Sequence, residues 1–253
     1  MNTIKVSIKD RLAIITLNRG KSNAMNREMI TELNDMFRNI DADPQIGGAL
    51  LTGQEHFFSA GLDLMELYHY NEEEVRSFWE LFFEFAATMI SFKKPLVAAI
   101  NGHSPAGGCV MALACDARIM AEGKYIIGLN EVPVGIIVPN SIFQIYSFWL
   151  GKAAANRALL EGKLFSPQEA VEIGLVDELV PQDRILTTAE RYVRKYMAFE
   201  SNTWQQSKLN IREELIAATR ADQSTVLDRM LTQWWMPNTR NILKTIIDNL
   251  QKK

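Results

Sequence analysis

The chain has 253 residues, a length that suits one large domain or two small ones. Hydrophobic residues make up 47% and charged residues 23% of it, as in ordinary globular proteins. The net charge of −3 offers no basic surface, and two cysteines are too few for a disulfide framework or a cysteine-rich metal site. No targeting signal or long apolar run is recognisable, so we expect a cytoplasmic protein without nucleic-acid or membrane partners.

Strands and helices are predicted to alternate through the first two-thirds of the chain. Helices begin after the N-cap residues Asn26 and Asn71, and a short apolar helix occupies 109–114. Alternating or continuous apolar residues predict strands over 4–8, 12–17, 49–52, 96–100, 117–121 and 125–127.

Helices dominate the last third of the chain. Ser166, Pro167 and Glu169 have the spacing of a capped helix start, and helical patterns continue after residue 180. This order predicts the α/β class, with a helical C-terminal section. We divide the chain into a core over 1–195 and a C-terminal helical region over 196–253.

Several motifs that carry chemistry in other proteins are absent. No G-x-G-x-x-G follows a strand, no phosphate-binding P-loop occurs, and no H-E-x-x-H zinc motif is present. His56, His69 and His103 are far apart in the sequence. We therefore expect no metal and no dinucleotide.

Two turns rich in small residues are the best candidates for a site. The first covers 58–64 and the second covers 101–109, and each follows a predicted strand. Small residues let backbone N–H groups approach a ligand, and the second turn also opens a helix, whose N-terminus favours an anion. Together two such turns can hold one developing oxyanion.

These turns resemble the crotonase superfamily, the enoyl-CoA hydratase/isomerase family. The resemblance is carried by FFSAGLDL (57–64) and KPLVAAINGHSPAGGCVMALACDARIM (94–120), and it extends over essentially the whole chain. It implies a crotonase-like spiral of ββα units and an acyl-CoA thioester substrate. It also implies no cofactor besides the coenzyme A of the substrate itself. YIIGLNEVPVGIIVP (125–139) is most similar to the Δ3,Δ2-enoyl-CoA isomerases.

The resemblance assigns catalytic roles to three residues. The two N–H groups of the oxyanion hole correspond by position to Ala60 and Gly107. Hydratases of the family use two glutamates; the first corresponds here to Val110 and the second to Glu131. A single carboxylate opposite an apolar side chain is the isomerase pattern. Glu131 is then expected to move a proton from C2 to C4 of a 3-enoyl-CoA, with a pKa raised by burial.

The resemblance also predicts how the substrate is held. Loop residues 19–25 and 60–64 are expected to contact coenzyme A, with Asp63 bracing the loop, and a long helix is expected to line the acyl tunnel. Phe78, Trp79, Phe82 and Phe85 lie on one stripe of that helix. The substrate-binding residues predicted from the resemblance are Arg19, Lys21, Ala24, Met25, Ala60, Gly61, Leu62, Asp63, Leu64, Phe82, Gly107 and Val110.

Other functions stay open on the sequence. The same fold could carry hydration, decarboxylation or hydrolysis of an acyl-CoA, or it could bind acyl-CoA without catalysis. A homotrimer or a hexamer built from two trimers is expected from the family. Trp234, Trp235 and Met236 in the C-terminal region are expected to lie on the surface that contacts the partner.

Overall fold

Ten strands and twelve α-helices make up residues 1–251, the part of the chain that the computed structural model describes. The strands are β1 (Ile4–Lys9), β2 (Leu12–Leu17), β3 (Gly48–Thr52), β4 (His56–Phe57), β5 (Leu96–Ile100), β6 (Gly102–Pro105), β7 (Ala117–Ala121), β8 (Ile127–Gly128), β9 (Leu164–Phe165) and β10 (Glu178–Val180). The helices are α1 (Arg27–Ala42), α2 (Leu64–Leu67), α3 (Glu72–Ile90), α4 (Gly107–Ala114), α5 (Asn140–Leu150), α6 (Lys152–Glu161), α7 (Pro167–Glu172), α8 (Ile185–Met197), α9 (Ser201–Ile211), α10 (Glu213–Arg220), α11 (Ser224–Trp234) and α12 (Pro237–Gln251). A single 3₁₀ turn covers Gln182–Arg184.

The strands form two sheets, and the chain visits them in a repeating order. A six-stranded sheet has the order β1-β2-β3-β5-β7-β10, parallel except for the antiparallel β1–β2 pair. A four-stranded sheet has the order β4-β6-β8-β9. The chain passes from the large sheet to the small sheet and then into helix, three times in succession: β3 and β4 lead to α2 and α3, β5 and β6 to α4, and β7 and β8 to α5. The predicted spiral of ββα units is confirmed.

The central strands are buried at every position because helices cover both faces of the large sheet. β3, β5 and β7 have no exposed residue, as expected for parallel strands between two layers. Helix α8 packs on one face, and the spiral with α3 and α4 packs on the other. This rigid centre fixes the positions at which the site loops leave the strands.

The predicted helix starts are confirmed. Asn26 caps α1, accepting a hydrogen bond from the Met29 N–H. Asn71 and Ser166 each form a complete capping box at the start of α3 and α7. Each such cap satisfies N–H groups that the first helical turn leaves without partners.

The four-stranded sheet was not predicted from the sequence. Residues 102–105 were expected to form a turn, but they form β6, and the strand predicted over 125–127 consists only of Ile127 and Gly128. Glycine and proline are poor strand formers, which hides such short strands. Position 102 must be glycine because the backbone of the neighbouring strand is too close for a side chain: a Cβ there would lie 2.0 Å from the His56 carbonyl carbon.

The C-terminal helices pack back onto the spiral. Helix α10 packs on α3 and α5, α11 packs on α3, and α12 packs on α2 and α11. Lys208 and Arg212 bind the buried carboxylate of Asp116 at 2.8 and 3.0 Å, which ties α9 to the end of α4. Within residues 1–251, no helix combines the length and hydrophobicity that a bilayer crossing needs.

Candidate active site

One mostly apolar cavity of about 620 Å³ contains most of the predicted site residues. It lies between the loops that follow β2, β4, β6 and β8, with α3 and α12 closing its sides. Its lining includes Arg19, Ser22, Ala24, Ala60, Leu62, Asp63, Leu64, Met65, Trp79, Phe82, Gly107, Val110, Asn130, Glu131, Val134, Ile136, Ile142, Ile246 and Leu250.

A second, larger cleft of about 790 Å³ lies elsewhere, between α1, α3 and the α10–α11 connection. Two ion pairs lie within its lining: Arg38 binds Glu84, and Lys93 lies 3.6 Å from Asp41. It contains none of the predicted site residues. The smaller cavity is therefore the candidate active site.

Glu131 supplies the carboxylate in this cavity. It begins a tight turn after β8, in which its carbonyl accepts hydrogen bonds from the N–H groups of Val134 (3.1 Å) and Ile136 (2.9 Å). Its Oε2 atom is buried and has no hydrogen-bond partner in residues 1–251. Burial raises the pKa of Glu131 from 4.5 to about 7, because a dry surrounding disfavours the charged form.

Val110 lines the same cavity from the first turn of α4 and is almost fully buried. It presents only hydrocarbon, so it can neither donate a proton nor hold a water molecule. The Cys109 thiol and the Tyr146 hydroxyl lie near Glu131 but do not line the cavity, and burial raises the pKa of both. Both groups are neutral at physiological pH, which leaves Glu131 as the acid–base group of the cavity wall around Val110.

Gly107 is the first residue of α4, so its N–H has no acceptor within the helix. The preceding residue, Ala106, has φ +50° and ψ −125°, a conformation that costs a side-chain-bearing residue about 1–3 kcal/mol. A Cβ on Gly107 would lie 2.2 Å from Cε of Met25, so a larger residue here would require the end of the Met25 side chain to move. The strained turn thus presents a free N–H to the cavity.

The prediction that Ala60 supplies the second N–H of the oxyanion hole is wrong. The Ala60 N–H donates to the carbonyl of Ser22 at 2.8 Å and is not free. Leu62 forms a parallel bridge with Met25, in which the flanking Gly61 carbonyl and Asp63 N–H bond to Met25 at 2.7 and 2.9 Å. The Leu62 N–H therefore points away from Met25, and it has no acceptor among residues 1–251.

Leu62 and Gly107 lie next to each other. A Cβ built on Gly107 would be 3.5 Å from both the Gly61 Cα and the Leu62 Cδ2. Gly61 itself has φ +88°, and a Cβ there would lie 3.1 Å from the Gly107 nitrogen and 2.9 Å from the Ala106 Cβ. Only glycine fits this position. Leu62 and Gly107 thus each present an N–H at this point of the cavity that has no acceptor among residues 1–251.

Arg19 braces the loop at the cavity mouth. Its Nη1 lies 2.8 Å from Asp63 Oδ2 and donates to the Ala24 carbonyl at 2.7 Å. Its Nη2 donates to Glu66 Oε2 at 3.3 Å. Asp63 also caps α2 through the Glu66 N–H, which agrees with its expected bracing role. Most of the hydrogen-bonding capacity of Arg19 is thus used within the chain.

The structure places the other predicted binding residues in three ways. Ala24, Leu64 and Phe82 line the cavity. Met25 and Gly61 lie directly behind Gly107 and shape the cavity without lining it. Lys21 is exposed and does not line it. Of the aromatic stripe on α3, Trp79 and Phe82 line the cavity, whereas Phe78 and Phe85 are buried in the core.

The contribution of α12 to the cavity was not predicted from the sequence. Ile246 and Leu250 of this helix line the cavity, although the C-terminal region was expected only to form an oligomer. The signal was present in the sequence: Leu243, Ile246, Ile247 and Leu250 have the spacing of one helical face. What the spacing does not show is which surface that face covers.

The spiral of ββα units is the crotonase type of fold, and comparison with known proteins agrees. The family model for enoyl-CoA hydratase/isomerase matches residues 7–246. The chain belongs to the enoyl-CoA hydratase/isomerase family. It is 38% identical over 217 residues to mitochondrial enoyl-CoA delta isomerase 1 of Mus musculus, covering 83% of this chain and 75% of the relative.

Other relatives carry both isomerase and hydratase names. The chain is 31% identical over 232 residues to a probable enoyl-CoA hydratase of Mycobacterium leprae, covering 91% of this chain and 86% of the relative. The crystal structure of human mitochondrial delta3-delta2-enoyl-CoA isomerase superposes with a TM-score of 0.95 at 30% identity, covering 99% of this chain and 98% of that one. Because the named isomerases are mitochondrial, the expected cytoplasmic location stays a prediction.

Proposed function

We propose that this protein is a Δ3,Δ2-enoyl-CoA isomerase, which moves a double bond from the 3 to the 2 position of an enoyl-CoA thioester. The observation that carries the proposal is the single buried carboxylate of Glu131 in a cavity where Val110 takes the place of a second acid. The free N–H groups of Leu62 and Gly107 support it. The isomerase relatives support it further.

The proposed reaction is a proton transfer in two steps. The thioester oxygen accepts hydrogen bonds from the N–H groups of Leu62 and Gly107. The Glu131 carboxylate removes a proton from C2; the electrons of the C–H bond pass into the thioester, and an enolate forms. The protonated Glu131 then returns the proton at C4, and the double bond comes to lie between C2 and C3. No electron is gained or lost, so the reaction requires no redox cofactor.

Each part of the site supplies a recognisable share of the rate. A positioned general base contributes about 10²–10⁴-fold, and one oxyanion-hole donor about 10²–10³-fold. A pKa near 7 lets Glu131 take the proton as a carboxylate and give it back as an acid with little bias in either direction. Burial thus adapts one residue to both steps.

Hydration is the main alternative, because relatives named as hydratases are also similar to this chain. Adding water to a 2-enoyl-CoA requires the site to hold a water molecule and to activate it. The methyl groups of Val110 cannot do either, so we expect little hydration. Decarboxylation, hydrolysis and binding without catalysis remain possible outcomes of the test.

Turnover of a 3-enoyl-CoA and a 2-enoyl-CoA, measured side by side, tests the proposal. We expect the conjugated 2-enoyl product from the first substrate and almost no 3-hydroxyacyl product from the second. Efficient hydration would contradict the proposal, since another group would then have to replace the missing acid. Binding of acyl-CoA with neither product would favour another reaction or a protein that only binds.

The pH dependence of kcat/KM is a separate prediction. Glu131 must be a carboxylate to remove the C2 proton, and burial raises its pKa to about 7. We expect kcat/KM to rise about tenfold per pH unit below pH 7 and to level off above it. A rate profile recorded from pH 5 to 9 measures this. A plateau that already begins near pH 4.5 would show that the base is not a buried carboxylate.

We also propose that the protein is a homotrimer or a pair of trimers. Trp235 and Met236 are 37% and 49% exposed, which agrees with a role in a contact between subunits. Trp234 was expected on the same surface, but it is buried in its own chain. Light scattering at micromolar concentration is expected to give at least three times the chain mass of 28.7 kDa. A monomeric mass would contradict the proposal.

A further inference from the structure

The C-terminal helix α12 forms one wall of the candidate active site. Its apolar face divides into two parts: Leu243 and Ile247 are buried in the protein core, whereas Ile246 and Leu250 line the cavity. The same helical face therefore both anchors the helix and contacts the space where a substrate would lie. None of the charged residues of α12 lines the cavity within residues 1–251.

Arg240 fixes the start of this wall. Its Nη2 donates to the carbonyl of Tyr68, at the end of α2, at 2.8 Å. Its guanidinium stacks 3.6 Å above the Tyr68 ring and lies 4.9 Å from the Trp235 ring. Such stacking suits the flat arginine side chain. Because α2 begins at Leu64, directly after Leu62 and Asp63, Arg240 connects α12 to the segment that holds the oxyanion hole.

The start of α12 also touches the turn that carries Glu131. A Cβ built on Gly135 would lie 3.1 Å from Cγ2 of Thr239, so the helix and the turn are in close contact there. At about 1.5 Å of rise per residue, Ile246 lies roughly 9 Å further along the axis than Arg240, and Leu250 roughly 15 Å. The wall thus extends from the Glu131 turn towards the rim of the cavity.

The solvent exposure of the wall increases towards the edge of the cavity. Ile246 is half-buried, whereas Leu250 is 53% exposed and Met65, also at the cavity edge, is 42% exposed. A short acyl chain that places C2 to C4 beside Glu131 has few carbons left to contact this apolar wall. A longer chain has more carbons that can be buried against it, and each additional buried methylene strengthens binding.

We propose that α12 determines the acyl-chain length that the enzyme accepts, with Ile246 and Leu250 contacting the distal carbons and Arg240 positioning the helix. The proposal rests on the proposed function, because it takes the substrate to be an acyl-CoA whose reacting carbons lie beside Glu131. It adds to the site two specificity-determining residues and one positioning residue.

The test compares Ile246→Ala with Ile242→Ala, the same substitution on the solvent side of the same helix. Ile242 is exposed and does not line the cavity. The probes are 3-hexenoyl-CoA and 3-dodecenoyl-CoA for turnover, and hexanoyl-CoA and dodecanoyl-CoA for binding by calorimetry. We expect Ile246→Ala to lower kcat/KM for the twelve-carbon substrate about tenfold, mostly through KM. The six-carbon substrate and the Ile242→Ala variant should stay within about twofold of the wild type.

Arg240 is tested by two substitutions. We expect Arg240→Ala to raise KM for the twelve-carbon substrate more than for the six-carbon one, and Arg240→Lys to restore part of the difference, because lysine can still donate to the Tyr68 carbonyl. A purely structural role would lower the activity with both substrates alike. Equal losses for both chain lengths in the Ile246→Ala and Arg240→Ala variants would overturn the proposal.

The binding measurements separate this proposal from the proposed function. If dodecanoyl-CoA binds more tightly than hexanoyl-CoA and Ile246→Ala removes the difference, the role of α12 holds even when no isomerisation is found. If isomerisation is found but Ile246→Ala leaves the dependence on chain length unchanged, only the role of α12 is overturned. If the wild-type protein binds neither ester, both proposals fail.

Discussion

Replacing Glu131 with glutamine is expected to lower kcat for isomerisation by about 10³-fold, within the range typical of losing a general base. Glutamine has nearly the same shape, but it cannot accept the C2 proton. Because Glu131 is buried and its Oε2 atom has no hydrogen-bond partner in residues 1–251, the amide breaks no existing contact. Steady-state turnover of a 3-enoyl-CoA measures the loss, and calorimetry with a saturated acyl-CoA should show unchanged binding.

A matched control makes this prediction specific. Glu172→Gln changes the same functional group on the exposed surface of α7 and should leave turnover and binding unaltered. If Glu131→Gln retains the wild-type rate, the proposed role of Glu131 fails. If it loses turnover together with all affinity for acyl-CoA, Glu131 acts in binding, and the catalytic assignment is not supported.

Replacing Gly61 with alanine is the second change with a large expected effect. Gly61 has φ +88°, and the new methyl group would lie 2.9 Å from the Ala106 Cβ and 3.1 Å from the Gly107 nitrogen. Ala106 already has a strained backbone, so the conflict cannot be relieved without moving the turn that presents the Gly107 N–H. We expect kcat to fall by about 10²-fold, the typical loss for one oxyanion-hole donor.

Gly20 provides the control for that substitution. It also has a positive φ, +56°, and it lies at the mouth of the same cavity, but nothing is within 4 Å of a Cβ built there. Gly20→Ala therefore introduces comparable backbone strain without touching the oxyanion hole. Its kcat should stay within about threefold of the wild type. Equal losses in the two variants would mean that backbone strain, and not displacement of the N–H donors, causes the effect.

Much of the fold was predictable from the sequence because its long elements carry strong patterns. The five-residue strands 48–52 and 96–100 are continuous apolar runs, and the helices after Asn26 and Asn71 have well-formed caps. The two-residue strands of the small sheet carry no such pattern. They form because each follows a strand of the large sheet, and neighbouring strands of that sheet place them side by side. This proximity exists only in the folded chain.

The sequence predicted which residues line the site better than it predicted which backbone N–H groups are free to bind a ligand. Glu131, Val110 and Gly107 came from the family resemblance, and all three line the cavity. Ala60 was likewise assigned by its position in the family motif. Which N–H is free depends on the hydrogen bonds that Ser22 and Met25 make with this loop. Those bonds connect segments 36 to 38 positions apart, and no local motif records them.

The helices α3 and α12, which form two walls of the cavity, show that a sequence pattern does not identify the surface that a helix covers. The aromatic stripe on α3 was recognised as one face, but only Trp79 and Phe82 reach the cavity. The face of α12 was equally regular, yet its partner surface lies more than a hundred residues earlier in the chain. Periodicity identifies a buried face, whereas packing decides whether the neighbour is the core, a substrate or another subunit.

The fate of the transferred proton tests the central claim most directly. In the proposed mechanism, one shielded carboxylate, that of Glu131, removes the proton from C2 and returns it at C4. If an unlabelled 3-enoyl-CoA is converted in heavy water under single-turnover conditions, the product should carry mainly ordinary hydrogen at C4, since Oε2 of Glu131 is buried and has no hydrogen-bond partner among residues 1–251. Deuterium at C4 in nearly every product molecule would contradict transfer by one shielded carboxylate.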